Sequence, residues 1–291
     1  MRYKNMQNLH ELAQIFSPAV FHKIVRENDT SLYQKQTAEY FTASSYNSNL
    51  DFIKSLYKTL QKEYRCEYIY KNNLFFEIYK KEKLSTTLIL NELKLGTSIA
   101  DLVLLNGFVR IYEIKTELDS LAKLSKQLND YLKFADEVYV VTDNKYAAKI
   151  NIEYADTNIG IIVLDAKNKL QTIKEAKKNS LFFCFDTIFK ILRKQEYLDL
   201  VADNFGFIPD LPNTKIFRAC YELLKTVNLL EFQKQVVTKL KERKLIKPNL
   251  LSSKKTPKEL KYICNSLDFN EKEYYKLYNF LSTNSLCINH I

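Results

Sequence analysis

The pattern of hydrophobic and polar positions changes twice along the chain. Residues 1–64 place apolar side chains at helical spacing among polar ones, and 66–82 continue as an amphipathic helix. From 86 to 165 the apolar residues form short runs typical of β-strands, separated by helical stretches. After residue 175 the strand pattern stops and only helical spacing remains. The chain is therefore predicted to be helical at both ends, with an α/β region between them.

The middle region predicts a mixed β-sheet. Its elements follow the helix at 66–82 in the order strand, strand, strand, helix, strand, helix, strand, which is typical of an α/β domain. These elements span residues 86–95, 99–105, 108–117, 118–134, 137–142, 144–155 and 159–165. We accordingly predict three segments: a helical N-terminal extension (1–64), an α/β core (65–175) and a C-terminal helical domain (176–291).

The third predicted strand ends with an acid and a base. Glu113 and Lys115 are two residues apart, so on a strand they project from the same face. Asp101, on the preceding strand, reaches that face only if the hairpin has a loop with an odd number of residues or a bulge. A simple two-residue turn at Asn106-Gly107 would place it on the opposite face. We therefore predict such an irregularity, which a three-residue loop with Gly107 in the left-handed conformation would provide.

These charged groups suit the hydrolysis of a phosphodiester. Carboxylates on neighbouring strands, from Asp101 and Glu113, can bind a hard divalent cation such as Mg²⁺ or Mn²⁺. Glu92, on the first predicted strand, can add a third carboxylate. The ammonium of Lys115 can orient or activate a water bound to the metal. The alternative is that the acid and the base form a simple ion pair at an exposed strand end.

The next predicted helix points two further polar side chains towards the same cleft. Gln127 and Tyr131 are four residues apart and so share one helix face. We expect Gln127 to position the substrate backbone and Tyr131 to contact nucleic acid. The alternatives are a solvated helix position for Gln127 and a place in the hydrophobic core for Tyr131.

Three short motifs follow one another in this region: "IAD" at 99–101, "EIK" at 113–115 and "QLNDY" at 127–131. The first two resemble the Asp…Glu-x-Lys signature of the PD-(D/E)XK nuclease superfamily, and the third is similar to the Gln-x-x-x-Tyr motif of its RecB-like branch. The wider stretch resembles a small bacterial family of this superfamily, over roughly residues 65–165. Ala100 stands where the signature has its proline.

The resemblance implies a restriction-endonuclease-like core of the order αβββαβ and a metal-dependent nuclease activity. The metal ligands that it implies are Asp101, Glu113, Glu92 and the backbone carbonyl of Ile114. It also implies that Lys115 is the catalytic lysine. The segments before and after the core have no counterpart in the resemblance, so the choice of substrate stays open.

The charge distribution favours a polyanionic partner. Of the net charge of +10, residues 176–291 carry +8, and 234–261 hold ten basic residues against two acidic ones. Phosphates neutralised by such a surface release counterions, which strengthens binding. Lys254, Lys255 and Lys258 are the predicted nucleic-acid contacts. Lysine is abundant throughout the chain, so a compositional skew is the other explanation of the excess.

Other chemistries have little support in the sequence. His10, His22 and His290 are unclustered, which disfavours zinc sites and a Ser-His-Asp triad. The four glycines form no phosphate-binding loop. The five cysteines are scattered singly, and no apolar run approaches the roughly 20 residues of a membrane helix. We therefore expect reduced thiols, a cytoplasmic protein and no contact with a membrane.

Together these features predict a nuclease that uses Mg²⁺ or Mn²⁺ and cuts nucleic acid, with DNA favoured, in restriction, phage defence or repair. One alternative is a non-catalytic module that binds nucleic acid or docks a protein on a nuclease-like fold. Another is a nuclease subunit that depends on a protein partner. The sequence also leaves open whether the protein forms a homodimer, whether its substrate is single- or double-stranded, and whether it cuts within a strand or from an end.

Overall fold

The computed structural model describes residues 6–41, 46–82 and 86–283, which form fourteen α-helices and six β-strands. The helices are α1 (Met6–Ala13), α2 (Pro18–His22), α3 (Ser31–Phe41), α4 (Asn49–Glu63), α5 (Glu67–Lys81), α6 (Leu124–Leu132), α7 (Asn144–Glu153), α8 (Phe185–Phe189), α9 (Lys194–Phe205), α10 (Asn213–Leu224), α11 (Leu229–Leu240), α12 (Pro248–Ser252), α13 (Lys261–Leu267) and α14 (Glu271–Ser282). The strands are β1 (Leu88–Leu95), β2 (Ser98–Leu105), β3 (Val109–Lys115), β4 (Glu137–Thr142), β5 (Gly160–Leu164) and β6 (Leu170–Lys174).

The contacts within the chain divide it into two compact units. The helical unit consists of Met1–Lys83, Asp165–Leu170 and Leu245–Ile291. The sheet unit consists of Leu84–Leu164 and Gln171–Lys244. In the described part of the chain, the four cysteines form no disulfide. No helix of that part is both long and apolar enough to cross a membrane.

The helical unit joins helices from both ends of the chain. Helix α5 packs against α4 and α13, and α14 packs against α4. Aromatic rings fill the space between them: the buried ring of Tyr33 meets Phe52 and Phe280 edge-on, with centroids 6.4 Å and 5.0 Å away. Asn49 donates a hydrogen bond to the carbonyl of Phe280, which ties the start of α4 to α14.

This division differs from the predicted segments 1–64, 65–175 and 176–291. Helix α5, predicted as the first helix of the α/β core, lies in the helical unit because its buried face is covered by α4 and α13. The helices after residue 175 are shared between the two units. Apolar spacing along a sequence reveals that a helix has a buried face, but it does not reveal which helix covers that face.

The sheet unit contains the predicted mixed sheet. Its six strands lie in the order β1-β2-β3-β4-β5-β6. The pairs β1/β2 and β2/β3 are antiparallel, whereas β3/β4 and β4/β5 are parallel. The α/β fold class is thereby confirmed, and the elements from α5 to β4 follow the predicted order αβββαβ. Helix α6 packs on β2 and β4, within one hydrophobic core that also includes residues of α8 to α11.

Two details of the sheet unit differ from the prediction. Strand β6 was not predicted, because its five residues are exposed or half-buried and show no apolar run. Helix α6 begins at Leu124 instead of residue 118. The carboxylate of Asp119 accepts hydrogen bonds from the backbone and the hydroxyl of Thr116, both at 2.8 Å. Such local side-chain bonds stabilise a turn and delay the start of the helix.

The hairpin between β2 and β3 has the predicted irregular loop. Leu105 pairs with Val109, so three residues form the loop, and Gly107 has a φ of 76°. The same register places Asp101 opposite Glu113, one position beyond the last recorded pair of the ladder. The prediction of an odd loop with a left-handed glycine is therefore confirmed, and it is this loop that gives the two carboxylates facing positions.

We expect Gly107→Ala to destabilise the sheet unit by about 1–2 kcal/mol, because a β-carbon is disfavoured in the left-handed conformation. A β-carbon at this position would meet no atom within 4 Å, so the cost is confined to the backbone. Denaturant unfolding of the two variants Gly107→Ala and Gly107→Asn is the measurement. Asparagine tolerates this conformation and should cost less; equal losses for both variants would contradict the interpretation.

Candidate active site

Glu113 is a buried carboxylate near the end of β3, and it is 2% exposed. Its Oε1 atom accepts hydrogen bonds from Lys115 Nζ at 2.7 Å and from Gln127 Nε2 at 2.5 Å. Its Oε2 atom lies 2.6 Å from the hydroxyl of Tyr131. An ionised carboxylate has room for about four such bonds. The structure thus brings four of the predicted site residues into direct contact.

Lys115 and Gln127 reach Glu113 from different elements. Lys115 is the last residue of β3, where the strand period of two places it beside Glu113; its side chain is 11% exposed. Gln127 comes from α6, in which Leu124, Leu128 and Tyr131 face the core and therefore orient the helix. The acid and the base form an ion pair, as the alternative interpretation supposed, but this ion pair is buried and has two further donors.

Tyr131 is fully buried, and its hydroxyl is directed at the carboxylate. The hydroxyl also lies 2.8 Å from the carbonyl of Ile99, so two acceptors compete for its single proton. Burial and the negative charge of Glu113 raise the pKa of Tyr131, which keeps the phenol protonated and able to donate. The predicted contact of Tyr131 with nucleic acid does not fit a side chain without exposed surface; its place is in the core, in support of Glu113.

Asp101 faces Glu113 across the end of the β2–β3 ladder. The recorded pairs end at Leu102 and Tyr112. Beyond them, Oδ2 of Asp101 accepts a hydrogen bond from the backbone N–H of Ile114 at 2.8 Å, and so replaces a backbone acceptor of β2. This bond fixes the carboxylate beside the Glu113–Lys115 pair. The Ile114 side chain is buried, and its carbonyl stays a predicted metal ligand.

Glu92 lies on the other side of Asp101, on β1. The pairs Asn91–Leu102 and Leu93–Ala100 flank it, so the register sets Glu92 opposite Asp101. Glu92 itself is exposed and has a φ of 56°, outside the β region. The regular alternation of side chains is interrupted there, because that alternation depends on extended backbone. The three predicted carboxylates therefore occupy a row of facing positions across three strands, with a local break at Glu92.

The donor set fits a hard divalent cation in part. Among the described residues, no group of three or more His, Cys, Asp or Glu side chains is arranged to hold a metal ion. Mg²⁺, however, is commonly held by one or two carboxylates and several waters. Asp101 and Glu113 supply that number, and Oε1 of Gln127 is a buried oxygen without a hydrogen-bond partner among the described residues. Such an orphaned acceptor fits a water or a ligand at this position.

Asp130, which the sequence did not predict as a site residue, holds α6 in place. Its Oδ2 atom accepts hydrogen bonds from the hydroxyl of Ser98 at 2.8 Å and from the backbone and hydroxyl of Thr97, while Oδ1 accepts one from Lys133 at 2.7 Å. Burial alone would raise the pKa of Asp130, but the bonds from Lys133, Ser98 and Thr97 outweigh it and lower the pKa to about 2. The signal in the sequence is an acid beside Tyr131 on a helix, together with a turn rich in hydroxyl groups.

The predicted nucleic-acid contacts Lys254, Lys255 and Lys258 lie in the helical unit, whereas the carboxylates lie in the sheet unit. All three lysines are exposed. Across residues 6–41, 46–82 and 86–283, none of them has an ion-pair partner. Their charges are therefore available to an anionic ligand.

The sheet unit thus defines an α/β protein with a buried carboxylate site at the end of the β2–β3 ladder. The chain belongs to the bacteriophage P4 protein cII family, whose family model matches residues 60–264. Protein cII of Enterobacteria phage P4 is 26% identical over 171 residues, which are 57% of this chain and 63% of that protein. The alignment therefore spans less than two thirds of this relative.

One solved structure is also similar, the SPO1766 protein of unknown function from Silicibacter pomeroyi. It is 15% identical, and the match covers 47% of this chain and 90% of that one, with a TM-score of 0.31.

We expect Asp130→Asn to change the acid stability of the sheet unit. The folded pKa of Asp130 is below its ordinary value of 3.8, so its contribution to stability is present above pH 3.8 and is lost as the pH falls through about 2. The contribution amounts to about 2 kcal/mol at neutral pH. Denaturant unfolding at pH 7 and at successive pH values down to 2 should show a smaller loss in the variant than in the wild type. Asp210→Asn, at an exposed position, is the matched control and should follow the wild type.

We expect Tyr131→Phe to cost about 1–3 kcal/mol of stability, because it removes the donor to Oε2 of a buried carboxylate. The matched control is Tyr197→Phe, since the hydroxyl of Tyr197 has no hydrogen bond to a described residue and its ring is also buried. Thermal and denaturant unfolding report the difference. A Tyr131→Phe protein as stable as Tyr197→Phe would show that the carboxylate does not depend on this hydroxyl.

Proposed function

We propose that this protein is a metal-dependent nuclease that hydrolyses phosphodiester bonds in the cytoplasm. The observation that carries the proposal is the buried Glu113 carboxylate in contact with Lys115 and Gln127, with Asp101 at the facing position of β2. This arrangement is similar to the Asp…Glu-x-Lys site of the PD-(D/E)XK superfamily, on an α/β fold with the same order of elements.

In this proposal the acidic side chains hold the cation. Asp101 and Glu113 would supply carboxylate oxygens, with the Ile114 carbonyl and Glu92 as further ligands. A bound Mg²⁺ or Mn²⁺ would polarise the scissile phosphate and lower the pKa of a water molecule. Asp101 is kept in position by its bond to the Ile114 amide, so this carboxylate needs little reorganisation on binding.

Lys115 and Gln127 would act on the attacking water and the substrate. The Lys115 ammonium is held 2.7 Å from Glu113, yet 11% of its side chain is exposed. It can therefore stabilise negative charge at the edge of the site while Glu113 fixes its position. Gln127 donates through Nε2 to Glu113. Its Oε1 atom has no hydrogen-bond partner among the described residues and can accept a hydrogen bond from a water or from the substrate. Tyr131 is a positioning residue, since it touches the carboxylate from the core.

The proposed substrate is nucleic acid, with DNA favoured. The excess of basic residues after residue 175 suits a phosphate backbone, and Lys254, Lys255 and Lys258 are exposed and without ion-pair partners in the described ranges. Contacts of this kind bind phosphates and therefore carry little sequence information. The family model covers both the candidate site and these lysines.

A second candidate is a non-catalytic module on the same fold. Lys115, Gln127 and Tyr131 supply Glu113 with three donors, which is what a purely structural buried carboxylate requires. In that case the network would stabilise the sheet unit, and the protein would bind nucleic acid or dock a protein. A nuclease subunit that needs a protein partner, or a second copy of this chain, differs from this candidate in that it binds metal.

The test is cleavage of labelled plasmid, linear and single-stranded DNA and of RNA by the purified protein with Mg²⁺ or Mn²⁺. We expect cleavage of DNA to be abolished by EDTA and to fall at least about 100-fold in Lys115→Ala, as for removal of a group that acts in the transition state. Lys126→Ala, an exposed lysine of α6, is the matched control and should retain activity. Cleavage that survives Lys115→Ala would contradict the proposal.

Calorimetric titration with Mn²⁺ distinguishes the alternatives when no cleavage is seen. Binding of Mn²⁺ that is lost in Asp101→Asn and Glu113→Gln would favour the partner-dependent subunit. Absence of Mn²⁺ binding by the folded wild-type protein would favour the non-catalytic module.

A further inference from the structure

A pocket of about 480 Å³ opens in the helical unit, between α4, α5 and the segment that joins α12 to α13. Pockets that bind small molecules have volumes of about 300–1,000 Å³. The pocket is lined by residues of the helical unit alone, so it is independent of the candidate active site in the sheet unit.

The pocket has a cationic rim. Lys54, Lys254, Lys255 and Lys258 line it, and all four are exposed. None of the four forms an ion pair with an acidic side chain of the described residues. Four ammonium groups without an ion-pair partner around one concave site concentrate positive potential there, which attracts a phosphate.

The segment that carries these lysines is held in a defined conformation. Lys261 is 5% exposed, and its ammonium donates hydrogen bonds to the carbonyls of Leu251 and Ser253. The Thr256 hydroxyl is bonded to the carbonyl of Leu250, and the Asn72 amide on α5 donates to the carbonyl of Lys258 at 3.0 Å. The rim is therefore a built feature of the fold.

The wall of the pocket is aromatic. Phe76 and Tyr79, both on α5, line it, and their ring planes differ by only 9°. The two rings are stacked, with centroids 6.4 Å apart, and Lys80 Nζ lies 4.3 Å from the centroid of the Phe76 ring. Aromatic side chains in the wall of a cationic pocket favour stacking with a nucleobase. Glu259 also lines the pocket; it is 5% exposed, and its Oε2 atom has no hydrogen-bond partner among the described residues. A buried, unpartnered carboxylate oxygen suits an N–H donor, which nucleobases carry on their edges.

We propose that this pocket binds a phosphorylated nucleotide. Phe76 and Tyr79 receive the base, Glu259 accepts a hydrogen bond from it, and Lys254, Lys255 and Lys258 bind the phosphate. The ligand is either a free mononucleotide or the 5′-phosphorylated end of a strand, since both present the same groups. The proposal gives the predicted lysine contacts a defined ligand and does not rest on the proposed nuclease activity.

The experiment is calorimetric titration of the full chain carrying Lys115→Ala, in EDTA, so that cleavage does not intervene. The probes are the four nucleoside 5′-monophosphates, the nucleosides, inorganic phosphate, and a trinucleotide with and without a 5′-phosphate. We expect at least one monophosphate to bind about tenfold more tightly than its nucleoside and than phosphate alone. Tighter binding of the phosphorylated trinucleotide than of free nucleotides would identify a strand end as the ligand; the reverse order would identify a free nucleotide.

The variants separate the two halves of the pocket. Lys254→Ala/Lys255→Ala should weaken nucleotide binding about tenfold and reduce its dependence on salt. Phe76→Leu should weaken binding of the nucleotide and leave binding of phosphate unchanged. Lys272→Ala/Lys276→Ala removes the same charge from exposed positions of α14 and is the matched control; circular dichroism verifies that each variant is folded.

Two results would overturn the proposal. One is the absence of binding by every nucleotide and strand to the folded protein. The other is nucleotide binding that equals phosphate binding and is insensitive to Phe76→Leu, which would reduce the pocket to a general anion-binding patch. Neither result bears on cleavage by the sheet unit, so failure of this proposal and failure of the proposed function are distinguishable.

Discussion

A carboxylate that is 2% exposed needs donors for its oxygens, because an unpaired buried charge is too costly for a folded protein. Much of the sheet unit serves this requirement at Glu113. Strand β3 supplies Lys115 two residues away, and α6 supplies Gln127 and Tyr131 from one face. Helix α6 is in turn attached to the β1–β2 turn by Asp130. Removal of any of these groups therefore takes a hydrogen-bond donor from the Glu113 carboxylate or disturbs the helix that supplies two of its donors.

The relative positions of the candidate site residues were largely predictable because two simple periodicities determine them. A period of two sets Glu113 beside Lys115, and a spacing of four sets Gln127 beside Tyr131. The parity of the hairpin loop then determined whether Asp101 joins them, and the left-handed Gly107 provides the odd loop. These features depend on neighbours that are close in sequence.

Features that depend on distant partners were less accessible to the sequence. The role of Asp130 rests on the turn at Thr97 and Ser98, more than thirty residues earlier. Glu92 has a positive φ, and no glycine at this position indicates that conformation in the sequence. The assignment of α5 to the helical unit depends on α13, almost two hundred residues away in the chain. Amphipathic spacing shows only that such a partner exists.

The helical unit is discontinuous, since the sheet unit is inserted between its first and last segments. On the ribosome, which adds about 5–20 residues per second, the helices before residue 84 are made on the order of ten seconds before α13 and α14. During that interval their apolar faces lack the helices that finally cover them, and the residues of the sheet unit are all synthesised before α13 and α14. The second unit along the sequence is thus the first whose residues are all available for folding.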